Sequence, residues 1–378
     1  MIFKEVEINN FRGIKHLFLP NLKQVNLLVG KNNCGKSSVL DALFLLSGFS
    51  NPLLILRINQ FRDYDSFTQE DISLNFYNMA SENHILIQGQ KQDGTVRTLE
   101  IAPIISESAR IVLSGEQIST QALSNQEANI TTGLSMNFSY TLTNGETISD
   151  RSAILIDPKE KGGNVRIETS KQYKETLSGV YINSKFAFSI AVENLTRIIE
   201  AKQEPVIVEI LQHVEPKIKS IHVLKSGVSV DIGLNRLVPI NMLGDGIRKL
   251  LAIITSLYGC KEGIIFIDEI DNGMHFSSLA SLWKAILKTA RMLDVQVFAT
   301  THNIESLQAL NKILSEIDDK EIQDEIMCYS LRHLPTDEMK AYEYPYEKFQ
   351  YVINQEIEIS LKSATIIQYT IKGRFMSR

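Results

Sequence analysis

Eight residues near the start of the chain have the types and spacing of a loop that binds phosphate. The stretch GKNNCGKS at 30–37 fits the pattern G-x-x-x-x-G-K-[ST]. Its glycines let main-chain N–H groups approach phosphate oxygens, Lys36 supplies a positive charge, and Ser37 offers a hydroxyl to Mg²⁺. A helix that starts here would direct its positive end at the anion. The loop therefore predicts a site for a nucleoside triphosphate with its magnesium ion.

A pair of carboxylates far along the chain has the chemistry that such a loop lacks. Asp268 and Glu269 follow the apolar stretch 264–267. Asp268 can hold Mg²⁺ through water, and Glu269 can polarise the water that attacks a phosphate. The segment 295–303 predicts a further strand that ends in Thr300, Thr301 and His302. A histidine at that place can bond a γ-phosphate and sense its loss.

A third candidate, Gly244-Asp245-Gly246, opens a strongly amphipathic helical run. Two interpretations stay open at this point. A glycine-rich helix N-terminus is a second anion site. Alternatively, Asp245 only caps the helix.

These residues need strands and helices to bring them together. The stretch VNLLV at 25–29 predicts a buried strand, and 37–48 predicts the helix after the phosphate loop. A helix over 277–293 separates the acidic strand from the strand before His302. Strand–helix–strand order of this kind is typical of a doubly wound parallel sheet, whose strand ends share one edge.

The middle of the chain has a different character. Asp93-Gly94 and Asn144-Gly145 each predict a β-hairpin, within 84–103 and 136–150. Two helices broken at Pro205 are expected within 187–224. No heptad repeat is present, so we expect a compact insertion instead of a long coiled coil. This arm could dock a partner, form an oligomer or complete the fold.

Composition limits the classes of function. The 378 residues are 44% hydrophobic and 22% charged, with a net charge of −5, which is typical of a globular protein. The acidic balance argues against a protein whose whole surface binds nucleic acid, although a local basic groove stays possible. We expect no signal peptide and no membrane span, and a cytoplasmic location. The three separated cysteines predict neither disulfides nor a metal site.

Cys34 lies inside the phosphate loop. One interpretation is a redox switch at its thiol. The other is a small residue that the tight turn tolerates.

The ordered motifs FRGIKHL, GKNNCGKSS, LGDGIRKLL, IIFIDEIDNGMH and FATTHN resemble the ABC-type ATPase head of the RecF, SMC and OLD (overcoming lysogenization defect) group. They are most similar to stand-alone OLD-like bacterial ATPases that lack a Toprim nuclease domain. The resemblance implies a P-loop NTPase fold: α/β, with a mixed central sheet, an antiparallel β lobe and a compact α/β insertion. We expect the head in 1–70 and 235–378, and the insertion in 71–234.

The resemblance also implies residue roles and a mode of action. Two subunits would hold two ATP molecules between them, with Gly244–Gly246 of one facing the phosphate loop and Asp268/Glu269 of the other. The resemblance assigns catalysis to Glu269, His302 and Asp268. It assigns the binding of Mg²⁺ to Ser37 and Asp268. Gln60 and Gln88 are both candidates for the glutamine of the Q-loop. The residues expected to bind ATP are Gly30, Asn32, Asn33, Gly35, Lys36, Ser37, Ser38, Gly244, Asp245 and Gly246.

Three functions follow as hypotheses. The first is an ATP-hydrolysing switch that acts as the sensor of a bacterial anti-phage defence module, with a separate nuclease or toxin as effector. The second is a RecF-like DNA-binding ATPase of repair. The third is a scaffold that assembles on ATP with little turnover, against which Glu269 argues. Because this chain shows no Toprim pattern, we expect no DNA cleavage by it.

Overall fold

The structure is a computed structural model, which describes residues 2–64, 67–106, 130–156, 165–183, 187–317 and 319–355. The strands of these ranges are, in chain order, β1 (Phe3–Phe11), β2 (Ile14–Leu19), β3 (Val25–Val29), β4 (Ile85–Lys91), β5 (Val96–Ser106), β6 (Ile130–Thr141), β7 (Thr147–Ile156), β8 (Val165–Glu168), β9 (Gly179–Ile182), β10 (Ser220–Leu224), β11 (Gly227–Asp231), β12 (Val238–Pro239), β13 (Ile264–Ile267), β14 (Gln296–Thr301), β15 (Ile326–His333) and β16 (Met339–Pro345). The α-helices are α1 (Lys36–Ser47), α2 (Leu53–Gln60), α3 (Gln69–Ser73), α4 (Ala187–Glu200), α5 (Glu204–Gln212), α6 (Asp245–Gly259), α7 (Phe276–Met292), α8 (Ile304–Ile317), α9 (Lys320–Asp324) and α10 (Tyr346–Asn354).

A mixed six-stranded sheet forms the centre, in the order β16-β15-β3-β14-β13-β9. The strands from β15 to β9 run parallel, and β16 is antiparallel to β15. The strands β3, β13 and β14 are buried along their whole length, as expected of a parallel sheet covered on both faces. The predicted strands at 25–29 and 264–267 and the helix after the phosphate loop are confirmed.

A second, antiparallel sheet has the order β2-β1-β4-β5-β6-β7-β8. Both predicted hairpins are confirmed within it: β4 pairs with β5 around Asp93-Gly94, and β6 pairs with β7 around Asn144-Gly145. The two glycines have φ angles of 87° and 86°, a left-handed conformation that residues with a Cβ rarely adopt.

Helix α1 lies between the two sheets. Alternate side chains of β3 show the layering, because Leu28 packs in the core with α1 and the antiparallel sheet. Its neighbours Leu27 and Val29 pack in the other core, with α6, α7 and α8. Side chains of a strand alternate between its faces. The parallel sheet therefore has α1 on one face and α6–α8 on the other.

Residues 71–234 contribute to both cores. Helix α5 begins beside Pro205, which occupies its first turn, and α4 and α5 pack against α6. The longest helix of the described residues, α7, has 17 residues, so these ranges contain no long coiled coil. In the same ranges, no helix is long and apolar enough to cross a membrane.

The division into a head and an inserted 71–234 stays a prediction. Two strand pairings cross that boundary. Strand β4 pairs with β1 of the N-terminal segment, and β9 forms the edge of the central sheet beside β13.

Candidate nucleotide site

The phosphate loop connects β3 to α1 through two glycines in unusual conformations. Gly35 is the N-cap residue of α1 with φ 89°, and Gly30 has φ 154°. A Cβ on Gly30 would lie 2.6 Å from Cys34 Sγ and 2.9 Å from Leu331 O. One on Gly35 would lie 2.5 Å from Met339 Cε. The glycines thus serve the close packing of the loop against β15 and β16 as well as its turn.

Lys36 begins α1 and folds back over the loop. Its side chain is buried, and Nζ donates hydrogen bonds of 2.9 Å to both Gly30 O and Lys31 O. Lys36 therefore ties together the first two residues of the loop through their carbonyl groups. Both acceptors are neutral carbonyl oxygens. A phosphate oxygen is a stronger acceptor because it is charged, so the ammonium group can turn from the carbonyl groups to a phosphate.

Cys34 is a buried residue of the phosphate loop. Burial raises the pKa of its thiol, against the opposing influence of Lys36. Because the thiolate is the reactive form, this environment favours the interpretation of Cys34 as a small packing residue over that of a redox switch.

Asp268 and Ser37 meet at the carboxyl edge of the central sheet. Asp268 Oδ1 accepts a hydrogen bond of 3.1 Å from Ser37 Oγ and one of 2.7 Å from Thr300 Oγ1. Burial raises the pKa of Asp268, and these two bonds oppose the rise. A cation at this place would stabilise the ionised carboxylate. The structure thus places the two predicted magnesium ligands next to each other.

Glu269 is exposed at the same edge, in a defined conformation. Its φ is 49°, which is uncommon for a residue with a Cβ. The Glu269 N–H donates to Thr300 Oγ1 over 2.7 Å, and its Oε2 accepts from Asn272 Nδ2 over 3.1 Å. The carboxylate is therefore held beside Asp268 while it faces solvent.

His302 follows β14 directly and is exposed, outside the residues that line the cavity beside Asp268. Asn32, Asn33 and Ser38 lie on the phosphate loop and at the start of α1.

Gly244–Gly246 lies apart from that cavity, at the N-terminus of α6. Gly244 is the N-cap residue with φ 98°, and no side chain caps the helix. Asp245 is the first helical residue and pairs with Arg248 over 3.1 Å, so the interpretation of Asp245 as the cap is wrong. A Cβ on Gly244 would meet nothing within 4 Å, whereas one on Gly246 would lie 3.6 Å from Gly273 O. Gly244 and Asp245 are thus exposed, and Gly246 is half-buried beside the turn after Glu269.

A cavity of about 150 Å³ lies between the start of α1 and the acidic strand. Besides Ser37, Asp268 and Glu269, it is lined by residues that the sequence analysis missed: Asp41, Phe61, Arg62, Tyr181 and Asn183. Asp41 follows Ser37 by one helical turn, a spacing that could have indicated it. Asn183 comes directly after β9, next to Asp268 on the neighbouring strand. Gln60 and Gln88 are exposed and are not among these lining residues.

Asp41 is buried and binds two arginines from distant segments. Oδ2 accepts hydrogen bonds from Arg12, in the β1–β2 turn, and from Arg62 Nη2 at 2.7 Å. Arg12 also donates to Asn59 Oδ1 over 3.0 Å. Burial lowers the pKa of Arg12, and Asp41 opposes that effect. Two guanidinium groups thus converge beside the first turn of α1, next to the phosphate loop.

A second cavity, of about 360 Å³, adjoins these arginines. Its lining includes Arg12, Ser38, Arg62, Tyr64 and Asn78. Arg62 lines both cavities, so they are neighbouring parts of one surface.

Comparisons with known proteins identify the class of protein. A family model described as "AAA ATPase domain" matches residues 1–220, and one described as "AAA domain, putative AbiEii toxin, Type IV TA system" matches residues 141–307. An "ATP/GTP phosphatase" of Helicobacter pylori is 27% identical over 340 residues, which are 84% of this chain and 90% of that protein. The DNA replication and repair protein RecF of Clostridioides difficile is 25% identical over 171 residues, covering 41% of this chain and 44% of RecF. The solved structure of an SMC head bound to the C-winged helix domain of ScpA has a TM-score of 0.49 at 12% identity, covering 92% of this chain and 99% of that one.

The phosphate loop and the adjacent acidic strand on a mixed sheet define an ABC-type ATPase head of the RecF/SMC group. The chain belongs to the AAA ATPase domain family, whose model matches more than half of it. It binds ATP and is an ATPase. The OLD-like subtype stays a prediction.

Proposed function

We propose that this chain is an ATP-hydrolysing switch in which two copies close around ATP. The observation that carries the proposal is the separation, within one chain, of two helix N-termini that begin at glycine caps. The phosphate loop lies beside Asp268, whereas Gly244–Gly246 lies outside the cavity beside Asp268, with Gly244 and Asp245 exposed. A second helix N-terminus of this kind is useful to the nucleotide of another copy.

Exposed apolar side chains surround the proposed contact surface. Met242, Phe276 and Ile304 are 78%, 61% and 46% exposed. They lie at or just before the starts of α6, α7 and α8, at the sheet edge that bears Asp268 and Glu269. Large exposed apolar groups in one region are typical of surfaces that bind another protein. A second copy is the occupant that would also complete the site.

Several of the described residues have separate roles in the proposed phosphoryl transfer. Lys36 leaves the loop carbonyls and binds the phosphates, together with main-chain N–H groups of the loop. Glu269 accepts the hydrogen bond of the attacking water, while Thr300 and Asn272 hold it in place. Arg62 lines the same cavity and can stabilise charge on the transferring phosphate. His302 contacts the γ-phosphate only when the site is closed.

Magnesium fits the oxygen donors at this edge. The described residues contain no group of three or more His, Cys, Asp or Glu side chains that could hold a metal ion. Ser37 and Asp268 supply one hydroxyl and one carboxylate. Mg²⁺ commonly takes one or two such ligands and completes its shell with phosphates and water. When bound, it would neutralise phosphate charge and orient the β- and γ-phosphates.

The nucleoside end of ATP would enter the second cavity. A triphosphate on the phosphate loop passes Ser38 and Arg62, which line that cavity. Tyr64 and Asn78 there offer an aromatic ring and an amide to a base.

The described residues in 71–234 add the antiparallel lobe and the arm, which we propose as an insertion in the head.

The biological role proposed is the sensing ATPase of an anti-phage defence module with a separate effector. The match to the toxin–antitoxin-related family model over 141–307 supports it. The alternative, a DNA-repair ATPase, is supported by the similarity to RecF. ATP-dependent DNA binding that weakens with salt would favour repair. Co-purification with a nuclease or toxin would favour defence.

Mixing two inactive variants tests the shared site. Lys36→Met removes the phosphate contact of one site half, and Gly246→Asp places a carboxylate at the other half. We expect each to be inactive alone and an equimolar mixture to regain part of the wild-type ATP turnover, since mixed pairs contain one intact site. No recovery from a mixture of folded variants would contradict the proposal.

A further inference from the structure

Lys249 lies one turn inside α6 and reaches the loop after the acidic strand. Its Nζ donates hydrogen bonds to Glu269 O and, over 2.9 Å, to Asn272 O. Burial lowers the pKa of Lys249 to about 8, although Asp271, Glu269 and Asp268 act in the opposite direction. Burial of the charged ammonium group costs free energy, so a lysine at this position indicates that its hydrogen bonds have a role.

One carbonyl group that Lys249 binds belongs to Glu269 itself, and the other belongs to Asn272, whose side chain donates to the Glu269 carboxylate. Glu269 has a left-handed main chain, which persists only when its surroundings hold it. The Thr300 hydroxyl accepts a hydrogen bond from the Glu269 N–H, and Lys249 donates one to the Glu269 carbonyl group. The Asn272 amide donates a third to Glu269 Oε2. Lys249 also binds the carbonyl group of Asn272. It therefore holds both the main chain of Glu269 and the residue that donates to the Glu269 carboxylate.

We propose that Lys249 is a positioning residue for Glu269, and that through it α6 sets the geometry of the hydrolytic carboxylate. The inference rests on the role proposed for Glu269 above. Gly244–Gly246 begins the helix that carries Lys249. A phosphate or a second copy that contacts this helix end therefore acts on the element that orients Glu269. Nucleotide contact at Gly244–Gly246 and turnover at Glu269 of the same chain become coupled.

A merely structural lysine would affect folding, not the catalytic step. The variants that separate the two are Lys249→Met, which removes the donor, and Lys249→Arg, which keeps it. Lys261→Met is the matched control, since Lys261 is 66% exposed and pairs only loosely with Glu262 at 3.7 Å. Each variant is compared with wild type for melting temperature, binding of a fluorescent ATP analogue, KM and kcat.

We expect Lys249→Met to lower kcat about ten- to a hundredfold by misplacing Glu269, with KM and analogue binding nearly unchanged. Lys249→Arg should restore most of the rate, and Lys261→Met should equal wild type. In single-turnover assays, adding Lys249→Met to Glu269→Gln should cause no further loss, since both act through one carboxylate.

The proposal is overturned by a wild-type kcat in Lys249→Met, by analogue binding lost in parallel with kcat, or by a further loss in the double variant. Turnover in Glu269→Gln that equals wild type would instead refute the proposed function, so the two failures are distinguishable.

Discussion

Ser37 and Asp268 are 231 residues apart in the chain, yet the Ser37 hydroxyl donates a hydrogen bond of 3.1 Å to Asp268 Oδ1. The order of the central sheet explains this contact, because β14 lies between β3 and β13 and pairs in parallel with both. Their carboxyl ends therefore share one edge. Thr300, near the end of β14, donates a second hydrogen bond to Asp268 Oδ1, over 2.7 Å.

Lys36→Met should weaken ATP binding about ten- to a hundredfold, because charge-assisted hydrogen bonds to phosphate contribute about 1.5–3 kcal/mol. Lys31→Met is the matched control, since Lys31 belongs to the same loop but is exposed. Titration with a fluorescent ATP analogue measures both. Equal affinities of the two variants would contradict the role given to Lys36.

Thr300→Ala should lower kcat about tenfold and leave ATP binding nearly unchanged, because a misplaced carboxylate affects the catalytic step first. The hydroxyl accepts from the Glu269 N–H and donates to Asp268. Thr300→Ser keeps that hydroxyl and should retain most of the activity. Steady-state kinetics check this, and a Thr300→Ser variant as slow as Thr300→Ala would show that the methyl group, not the hydroxyl, matters.

Asp41→Asn should destabilise the fold by about 3–5 kcal/mol, because it leaves buried guanidinium charge without its counter-ion. The Asp41 side chain is 2% exposed and binds Arg12 and Arg62. Glu193→Gln is the control: its pair with Arg197 is exposed on both sides and should contribute at most about 1 kcal/mol. Urea unfolding measures both. Similar small losses would mean that the arginines find other acceptors.

Lys249 should make stability rise with pH above about 8. Its folded-state pKa is lowered, so between about 8 and its ordinary 10.5 the unfolded chain binds the proton more tightly than the folded one. Stability then increases with pH across this window. The rise should be smaller in Lys249→Met, measured as urea midpoints at both ends of the window. Identical pH dependence in both proteins would argue against a lysine that loses its proton on folding.

Local motifs revealed much of the site, and long-range packing supplied the rest. The phosphate loop and the two hairpins depend on neighbouring residues, so the pattern GKNNCGKS and the pairs Asp93-Gly94 and Asn144-Gly145 were sufficient. Asn183 could not be found in this way. It reaches the cavity only because β9 joins the central sheet beside β13, a pairing that no local pattern indicates.

Long-range packing also brings Arg12 and Arg62 together. Arg12 lies in the motif FRGIKHL, but no local pattern indicates that its side chain and that of Arg62 meet at the Asp41 carboxylate. Asp245 shows the opposite case. Its type and place left a helix cap open as one of two interpretations, but Gly244 takes that position with a positive φ.

The solution mass of the Glu269→Gln variant with and without Mg²⁺-ATP tests the central claim most directly. This substitution should leave the phosphate loop intact and slow turnover, so ATP persists in the site. We predict one chain without nucleotide and two chains at saturating ATP, and a return to one chain when Phe276→Glu is added at the exposed apolar surface. A mass of one chain at saturating ATP, with analogue binding demonstrated, would contradict the account.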